Sequence, residues 1–326
     1  MRKAFRPGFF LLLALAAAGP ARAQSFSPPF APPTPRGGPA PGQAPTPAPD
    51  LAFGAYQRGF YMTAFREAMN RIAANPKDAA AITLIGEIYR DGYAVRQDQG
   101  EAARWYRLAS ALGDREAQFA LGVLLLNGAP GVDKDRAGAK AEFEKAAAQG
   151  QAGALYNLGV MAIEGDGTGK PDFAKAADDF RRAAEAGDGN GAYSYGVLLR
   201  EGRGVPLDIT ESAHWLKRAA DDGIIAGQVE YAIMLFNGVG VEKNETAAAK
   251  IFLNAAAHNN PIAQNRLAHL YVTGRGVPRD LVEAATWNRF AKVAGIDDPE
   301  LDAATANLTP EENARVDQLV RRQAEF

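Results

Sequence analysis

Apolar and small residues recur along this chain with a period of 36 or 37 residues between Asp78 and Gly295. In each copy a large apolar residue precedes a small one, and a Gly follows six positions after the small residue. The small residues at this position are Gly86, Gly122, Gly159, Gly196, Ala232 and Ala268. A period of this length predicts a solenoid of stacked helix pairs, because each pair buries its apolar face against its neighbours.

The fourth copy shows how one repeat is expected to form two helices. Small and apolar residues at three- and four-residue spacing predict a first helix over Gly191–Arg200. Gly196 lies inside this helix, where Gly is unfavourable, so we expect another helix to pass close to it. Gly202 follows the last turn and is expected to end the helix in the left-handed conformation. Asp208 or Thr210 is expected to cap the second helix.

The segments on either side of the periodic part are predicted to close the ends of the stack, where a terminal repeat lacks a neighbour. Residues 50–77 are predicted to form an N-terminal capping helix pair, with Gly59 between the helices. Its inward residues would be Phe60, Ala64, Phe65, Ala68 and Ile72. Residues 296–326 are predicted to supply one C-terminal capping helix, which begins with a capping box over Thr309–Glu312. An alternative is that this helix detaches and binds a partner.

The first 23 residues have the three parts of a secretory signal peptide. Basic residues precede ten apolar residues over Phe9–Ala18, and Ala21–Arg22–Ala23 fits a cleavage site. The alternative is a membrane anchor, but the apolar run is shorter than the roughly 20 residues that span a bilayer. We therefore expect cleavage after Ala23 and a periplasmic or secreted protein with no membrane span in the mature chain.

Residues 24–49 differ in composition from the rest of the chain, since ten of these 26 residues are Pro. Pro-rich segments favour extended states, so we expect a disordered linker that acts as a semi-rigid spacer. A docking tail for a partner or for the cell wall is the alternative.

Charge and cysteine content narrow the classes of function. Without Arg2, Lys3, Arg6 and Arg22 the chain carries 32 basic and 38 acidic side chains, a net charge of −6. A mildly acidic chain with scattered basic residues argues against binding to nucleic acid or to an anionic membrane. The chain contains no Cys, so its stability is expected to come from packing alone.

No motif of catalysis or cofactor binding is found in the sequence. His214, His258 and His269 lie in different copies without metal-ligand spacing. Gly-rich segments such as Gly202–Arg203–Gly204 follow no predicted strand, so they are interpreted as turns that end helices and not as phosphate loops. We therefore expect no bound cofactor or metal and no enzymatic activity. His269 is the one His expected on the inner side of the solenoid, where a plain packing role is the favoured interpretation.

One segment carries the repeat pattern almost completely, with Gly274–Asp280 followed by Glu283–Trp287. This arrangement resembles the Sel-1-like repeat, a relative of the tetratricopeptide repeat. The resemblance implies an all-α, right-handed α/α solenoid of about six helix pairs, whose first helices line a concave face. It also implies a scaffold or adaptor role, and known relatives include periplasmic regulators of envelope signalling. The six predicted repeats are residues 78–113, 114–150, 151–187, 188–223, 224–259 and 260–295.

The resemblance implies that three positions around each small residue lie on the concave face. Counted from that residue, they lie three before it, one after it and four after it, and they include Glu87 and Arg90 in the first copy. In the central copies these positions predict an apolar groove that carries aromatic side chains and has a polar rim. The predicted groove residues are Phe119, Val123, Tyr156, Val160, Tyr193, Val197, Arg200, Ile233, Phe236 and His269. The alternative is that these side chains pack between successive repeats.

The sequence thus predicts a monomeric scaffold that binds a protein or peptide in this groove. A module that binds cell-wall glycan is the alternative, because Tyr156 and Tyr193 could stack on sugar rings. Neither the partner nor the pathway follows from the sequence.

Overall fold

The computed structural model describes residues 50–165 and 169–324, and these residues form sixteen α-helices. The predicted signal peptide and Pro-rich linker lie outside the described residues. Within them no β-strand occurs, only an isolated bridge between Ala129 and Val132. The helices are α1 (Leu51–Gln57), α2 (Tyr61–Ala74), α3 (Ala79–Asp91), α4 (Gln99–Ala111), α5 (Arg115–Asn127), α6 (Arg136–Ala148), α7 (Ala152–Glu164), α8 (Phe173–Glu185), α9 (Gly189–Glu201), α10 (Ile209–Asp221), α11 (Ile225–Asn237), α12 (Glu245–Ala257), α13 (Pro261–Thr273), α14 (Leu281–Val293), α15 (Pro299–Thr305) and α16 (Pro310–Ala324).

Helices α3 to α14 form six consecutive pairs, numbered here as repeats 1 to 6. In each pair we call the first helix A and the second helix B, and every one of them has 13 residues. Helix A packs along helix B of its own repeat, and helix B packs against helix A of the next repeat. This arrangement confirms the predicted all-α solenoid of helix pairs.

Local capping explains where the helices of the fourth repeat begin and end. Asp208 caps α10 by accepting a hydrogen bond of 2.9 Å from the backbone N–H of Glu211. Asp208, and not Thr210, therefore fills the capping role that the sequence left open between them. Helix α9 is longer than predicted, and it ends at Glu201, after which Gly202 adopts the predicted left-handed conformation with φ of 65°.

A large side chain of helix B fills the space above the small residue of helix A in each of the first four repeats. A Cβ placed on Gly122 would lie 2.6 Å from Phe143, and one placed on Gly196 would lie 3.0 Å from Leu216. Both B-helix side chains are fully buried. The close approach expected from Gly196 is therefore present. The side chain that does so is the eighth residue of its B helix: Tyr106, Phe143, Phe180 and Leu216. The same helix position carries Phe252 in repeat 5 and Asn288 in repeat 6.

Successive repeats also interlock through the turn between helices A and B. The backbone at Gly204, in the turn of repeat 4, lies so close to the start of α8 that an added Cβ would meet the carbonyl oxygen of Phe173 at 2.1 Å. The guanidinium of Arg203 lies over the Phe173 ring, 3.9 Å from its centroid. Repeats 5 and 6 repeat this close contact at Gly240 and Gly276. In repeats 4 to 6 the turn thus fixes the position of the repeat on the one before it.

Helices α1 and α2 pack on each other and on α3 at the N-terminal end of the stack. Ala64 and Ala68 are fully buried there, and Phe65 and Ile72 pack against the same cluster. The prediction for Phe60 was wrong, because this side chain is 60% exposed. Phe60 precedes the first residue of α2 and lies at the corner between the two helices, so helical periodicity does not fix its direction.

The C-terminal end differs from the sequence expectation by one helix. The capping box over Thr309–Glu312 forms as predicted, since Thr309 and Glu312 exchange hydrogen bonds of 2.8 and 3.2 Å. Helix α16 packs on α14 and buries Val316 completely. The short helix α15 was not predicted; Asp298 caps it, and its Leu301 is fully buried.

Over repeats 1 to 3 the A helices of successive repeats approach each other more closely than the B helices do. Close contacts join α3 to α5 and α5 to α7, and among the described residues no pair of B helices matches them. In a curved stack the elements on the inner side lie closest together. This places the A helices of repeats 1 to 3 on the inner side of the stack.

Replacing Gly204 with Ala is expected to destabilise the protein more than replacing Gly223 with Ala. Both residues have positive φ, of 75° and 81°, but a Cβ at Gly223 would meet nothing within 4 Å. We expect a loss of about 1–2 kcal/mol for Gly223→Ala from backbone strain alone. Gly204→Ala should lose at least about 2 kcal/mol more, because the repeats must separate at Phe173. Urea denaturation of both variants measures the difference, and equal losses would contradict the interlock.

Candidate binding groove and a polar site in repeat 1

Three aromatic side chains occupy the fifth position of helix A in repeats 2 to 4. Phe119, Tyr156 and Tyr193 are each half-buried. The rings of Phe119 and Tyr156 lie 6.1 and 5.6 Å from Phe143 and Phe180, the large B-helix residues of their own repeats. Phe119 also reaches the next repeat, since a Cβ on Gly153 would lie 2.8 Å from its Cζ. These side chains therefore pack between helices and still present part of their surface to solvent.

The ninth position of helix A continues this apolar surface. Val123, Val160 and Ile233 are half-buried, and Val123 and Val160 pack beside the aromatic residues in the same clusters. Val197 differs from them because it is buried, with only 4% of its surface exposed. It therefore offers almost no surface to a partner, contrary to its predicted place in the groove. The other residues named at these two positions form a half-exposed surface on the A helices, called here the apolar strip. It consists of Phe119, Val123, Tyr156, Val160, Tyr193 and Ile233.

Two residues at the twelfth position are already engaged by the following repeat. The guanidinium of Arg200 on α9 donates a hydrogen bond to the carboxylate of Glu230 on α11. The Phe236 ring is covered by Arg275, whose guanidinium carbon lies 4.2 Å from the ring centroid. Burial raises the pKa of Tyr193 to about 12, and the negative charge of Glu230 adds to the effect. The charged side chains at the rim of the strip therefore also join successive repeats.

His269 has a structural role at the C-terminal end. Its Nε2 lies 2.7 Å from the carboxylate of Asp298, and the side chain of Asn265 donates a 2.9 Å hydrogen bond to the same oxygen. Asp298 caps α15, and these contacts hold the pKa of its carboxyl at about 2, although its burial works against the lowering. His269 therefore joins α13 to the C-terminal cap, in keeping with the favoured packing interpretation.

Repeat 1 carries polar groups where the other repeats carry apolar ones. The ninth position of its helix A is Glu87, and Val or Ile takes this place in repeats 2 to 5. Arg90 and Asp91 follow one turn later and pair with each other through two hydrogen bonds of 2.8 and 2.9 Å. Tyr56 of α1 donates a 3.1 Å hydrogen bond to Asp91. These groups form a polar site at the N-terminal end of the apolar strip.

The carboxyl of Glu87 has the most perturbed environment in this polar site. Burial raises its pKa to about 7, Arg90 opposes the rise, and nearby carboxylates add to it; these are Asp91, Glu116 and Asp114. The side chain of Thr83 holds Asp114 by a 3.0 Å hydrogen bond. Glu87 is half-buried. Within the described residues no hydrogen bond or ion pair reaches its carboxylate, so the loss of hydration on folding is not offset by a direct partner.

The sequence interpretation placed Glu87 on the inner face but did not recognise the site, because one residue in a single copy carries no periodic signal. Comparison of the eighth position of the B helices would have helped, since repeat 1 has Tyr106 where repeats 2, 3 and 5 have Phe. Among the described residues no group of His, Asp and Glu is arranged to hold a metal ion. None of the helices between Leu51 and Ala324 has the length and apolar character needed to cross a membrane.

Glu87→Gln is expected to change how stability depends on pH. The folded carboxyl holds its proton above the unfolded value of 4.5, so its favourable contribution is full below pH 4.5 and is lost as pH rises through about 7. Wild type should therefore lose about 1–3 kcal/mol relative to Glu87→Gln between pH 4.5 and pH 8. Urea denaturation at both pH values measures this change. Exposed Glu201→Gln is the control, and a pH-independent difference for Glu87→Gln would contradict the assignment.

Six segments of the chain match the Sel1 repeat family, at residues 79–114, 115–151, 152–188, 190–224, 225–260 and 261–288. Each segment begins within two residues of the start of an A helix, and the first five extend past the end of their B helix. No curated protein is significantly similar in sequence to this chain.

Solved structures of similar fold include a Sel1 repeat protein from Oxalobacter formigenes, with 29% identity and a TM-score of 0.63 over 74% of this chain and 98% of that chain. Another is c5321, a protective antigen of uropathogenic Escherichia coli strains, with 24% identity and a TM-score of 0.56 over 84% of this chain and 67% of that chain. At 24% identity, the similarity to c5321 shows a shared fold only. With six matched repeats over most of its length and this solenoid architecture, the chain belongs to the Sel1 repeat family.

Proposed function

We propose that this protein is an exported interaction scaffold that binds a segment of a partner protein along the A helices of repeats 1 to 5. Sel1-repeat solenoids typically serve protein–protein interaction, and an extended inner surface suits that role. Beyond this general role of the family, we propose that the protein is exported and that the partner binds to the A helices.

The half-exposed apolar strip is the observation that carries this proposal. It runs along successive A helices and consists of Phe119, Val123, Tyr156, Val160, Tyr193 and Ile233. Except for Ile233, these side chains pack in clusters with their own or a neighbouring repeat, as in the contacts of Phe119 and Tyr156 with Phe143 and Phe180. Fixed aromatic side chains lose little conformational entropy on binding, and such residues often dominate the binding energy.

The same packing argues for a protein segment over a glycan. A sugar ring stacks on an open aromatic face, whereas Phe119 and Tyr156 each have a second aromatic ring within about 6 Å and are half-buried. Their exposed surface lies within an apolar strip, which apolar side chains of a partner fit better. Binding to cell-wall glycan in place of protein in the same envelope extract would contradict the proposal.

The double variant Tyr156→Leu with Tyr193→Leu is expected to weaken partner binding at least tenfold while the protein stays folded. Leu keeps apolar volume between the repeats but removes the aromatic edges, and loss of two anchors costs at least about 1.4 kcal/mol. Capture from an envelope extract identifies the partner, and calorimetry with the purified partner measures the dissociation constant.

Tyr195→Leu is the matched control for this variant. Tyr195 lies on the same α9 helix and is also half-buried, but its ring packs on Trp215 of helix B, 5.6 Å away. We expect the Tyr195→Leu variant to bind the partner with the same dissociation constant as wild type. Equal binding by the double variant and wild type, with melting unchanged, would show that the partner binds elsewhere.

Export is expected to leave a mature chain that begins at Gln24. The proposal rests on the basic start, the short apolar run and the Ala21–Arg22–Ala23 sequence. N-terminal sequencing of the protein from the periplasmic fraction checks it. An intact Met1 on the exported protein, or its absence from that fraction, would contradict the proposal.

A further inference from the structure

Tyr106 is a buried side chain whose only side-chain polar atom has no partner. It is fully buried, and its hydroxyl makes no hydrogen bond. Three other described side chains leave one buried polar atom unpaired, but each keeps a hydrogen bond through another atom; these are Gln99, Gln228 and Asn288. A buried hydroxyl without a partner is unfavourable by about 1–3 kcal/mol. The hydroxyl of Tyr106 therefore calls for an explanation that packing does not give.

Comparison of the repeats shows that the hydroxyl is not needed for the fold. Phe143, Phe180 and Phe252 take the same place in repeats 2, 3 and 5, and each is as deeply buried as Tyr106. Asn288 is the other polar residue at this position, and its amide nitrogen donates to Asp302 near the C-terminal cap. Repeat 1 has no corresponding partner for Tyr106.

The hydroxyl of Tyr106 belongs to the polar site of repeat 1. Its ring lies against the backbone of Gly86, where an added Cβ would meet ring carbons at 2.7 Å, and Glu87 is the next residue. The charged groups that act most strongly on the hydroxyl are Arg90, Glu87 and Asp91, beyond the dominant effect of burial, which raises the pKa of Tyr106. Two unpaired polar groups, the hydroxyl of Tyr106 and the carboxylate of Glu87, thus occupy one site.

The site has an excess of negative charge. Arg90 is its one basic group, and it is already committed to Asp91 through two hydrogen bonds. Glu87 makes no ion pair with Arg90, although the charge of Arg90 acts on it, and Asp114 at the start of α5 adds a further negative group. A cation bound at the half-buried Glu87 carboxylate would offset its partial loss of hydration and would donate a hydrogen bond to it, beside the buried hydroxyl of Tyr106.

Aromatic rings border the same site on the side of α1 and α2. The rings of Tyr61 and Tyr93 stack with centroids 4.2 Å apart, and Tyr56 packs edge-on against Tyr61 at 5.5 Å. The electron-rich faces of Tyr rings attract cations, and Tyr93 is 39% exposed. Aromatic rings beside a carboxylate are well suited to the side chain of Lys or Arg.

We propose that Glu87 and Tyr106 form a subsite that binds the side chain of a Lys or Arg residue in the partner segment. This inference rests on the proposed function, since it places the basic residue of the partner at the N-terminal end of the apolar strip. The adjacent repeat then offers Phe119 and Val123 to the apolar residues that flank the basic one.

Two substitutions remove the subsite without introducing a residue foreign to its position. Glu87→Val gives repeat 1 the residue of repeats 2 to 4, and Tyr106→Phe gives it the residue of repeats 2, 3 and 5. Both variants are therefore expected to fold and to be at least as stable as wild type. Glu201→Gln is the control for a general charge effect, because it removes one negative charge from the A helix of repeat 4.

The test is NMR of the chain from residue 24 with labelled Tyr rings, titrated with acetyl-arginine amide, acetyl-lysine amide or the neutral acetyl-citrulline amide. We expect the two cations to shift the ring signals of Tyr56 and Tyr93 with dissociation constants in the millimolar range, as single side chains do. Glu87→Val should weaken this binding at least tenfold and Tyr106→Phe several-fold, whereas Glu201→Gln should leave it unchanged. Equal binding of citrulline, or unchanged binding by Glu87→Val, would overturn the proposal.

An octapeptide with one Arg among Leu residues distinguishes a peptide from a small free cation. It should bind at least tenfold more tightly than acetyl-arginine amide, because its Leu side chains reach the apolar strip. Equal affinities would overturn the assignment to a peptide. If Glu87→Val still binds the captured partner with wild-type affinity while the Tyr156 and Tyr193 double variant does not, this inference fails and the proposed function stands.

Discussion

In the first four repeats the backbone of helix A passes so close to a large side chain of helix B that only Gly fits between them without a shift. Gly86, Gly122, Gly159 and Gly196 occupy this place in the first four repeats, and an added Cβ would lie 2.6–3.0 Å from the opposing side chain. A mid-helix Gly is unfavourable by roughly 1 kcal/mol, and the deeply packed residue of helix B offsets this. The contact fixes how each A helix is rotated about its axis.

That rotation determines which A-helix positions lie at the inner side of the stack. Once the small residue faces helix B, the fifth, ninth and twelfth residues point toward the neighbouring A helices and the solvent between them. In repeats 2 to 5 the half-exposed members of this set at the fifth and ninth positions build the apolar strip, and in repeat 1 these positions carry the polar site around Glu87. One packing rule therefore places two surfaces of different chemistry side by side, and the proposed function has a partner segment bind to both.

The sequence predicted the fold well because its signals are repeated and local. Six copies of the small residue and of the Gly that ends helix A specify the helix pairs, and side chains such as Asp208 start the helices. The short helix α15 escaped prediction because it has a single copy and depends on the cap formed by Asp298 with His269 and Asn265. Phe60 was wrongly placed inside because it stands at a corner, outside the helical period.

The candidate site was predictable only in part, for a related reason. Periodicity placed Phe119, Tyr156 and Tyr193 on one face. It could not show that each ring is partly packed between helices and partly exposed to solvent. It also could not show that Val197 is buried or that Arg200 is bound to Glu230. The Tyr106 hydroxyl is visible only when burial and hydrogen bonding are known together, because Tyr and Phe satisfy the same repeat pattern.

The central claim is that the partner lies along the A helices and not along the B helices. Methyl NMR of the chain bound to its purified partner tests it most directly. We expect the signals of Val123, Val160 and Ile233 on the A helices to shift, while those of Leu108 and Leu253, exposed on the B helices, remain unchanged. Shifts confined to Leu108 and Leu253 would contradict the account.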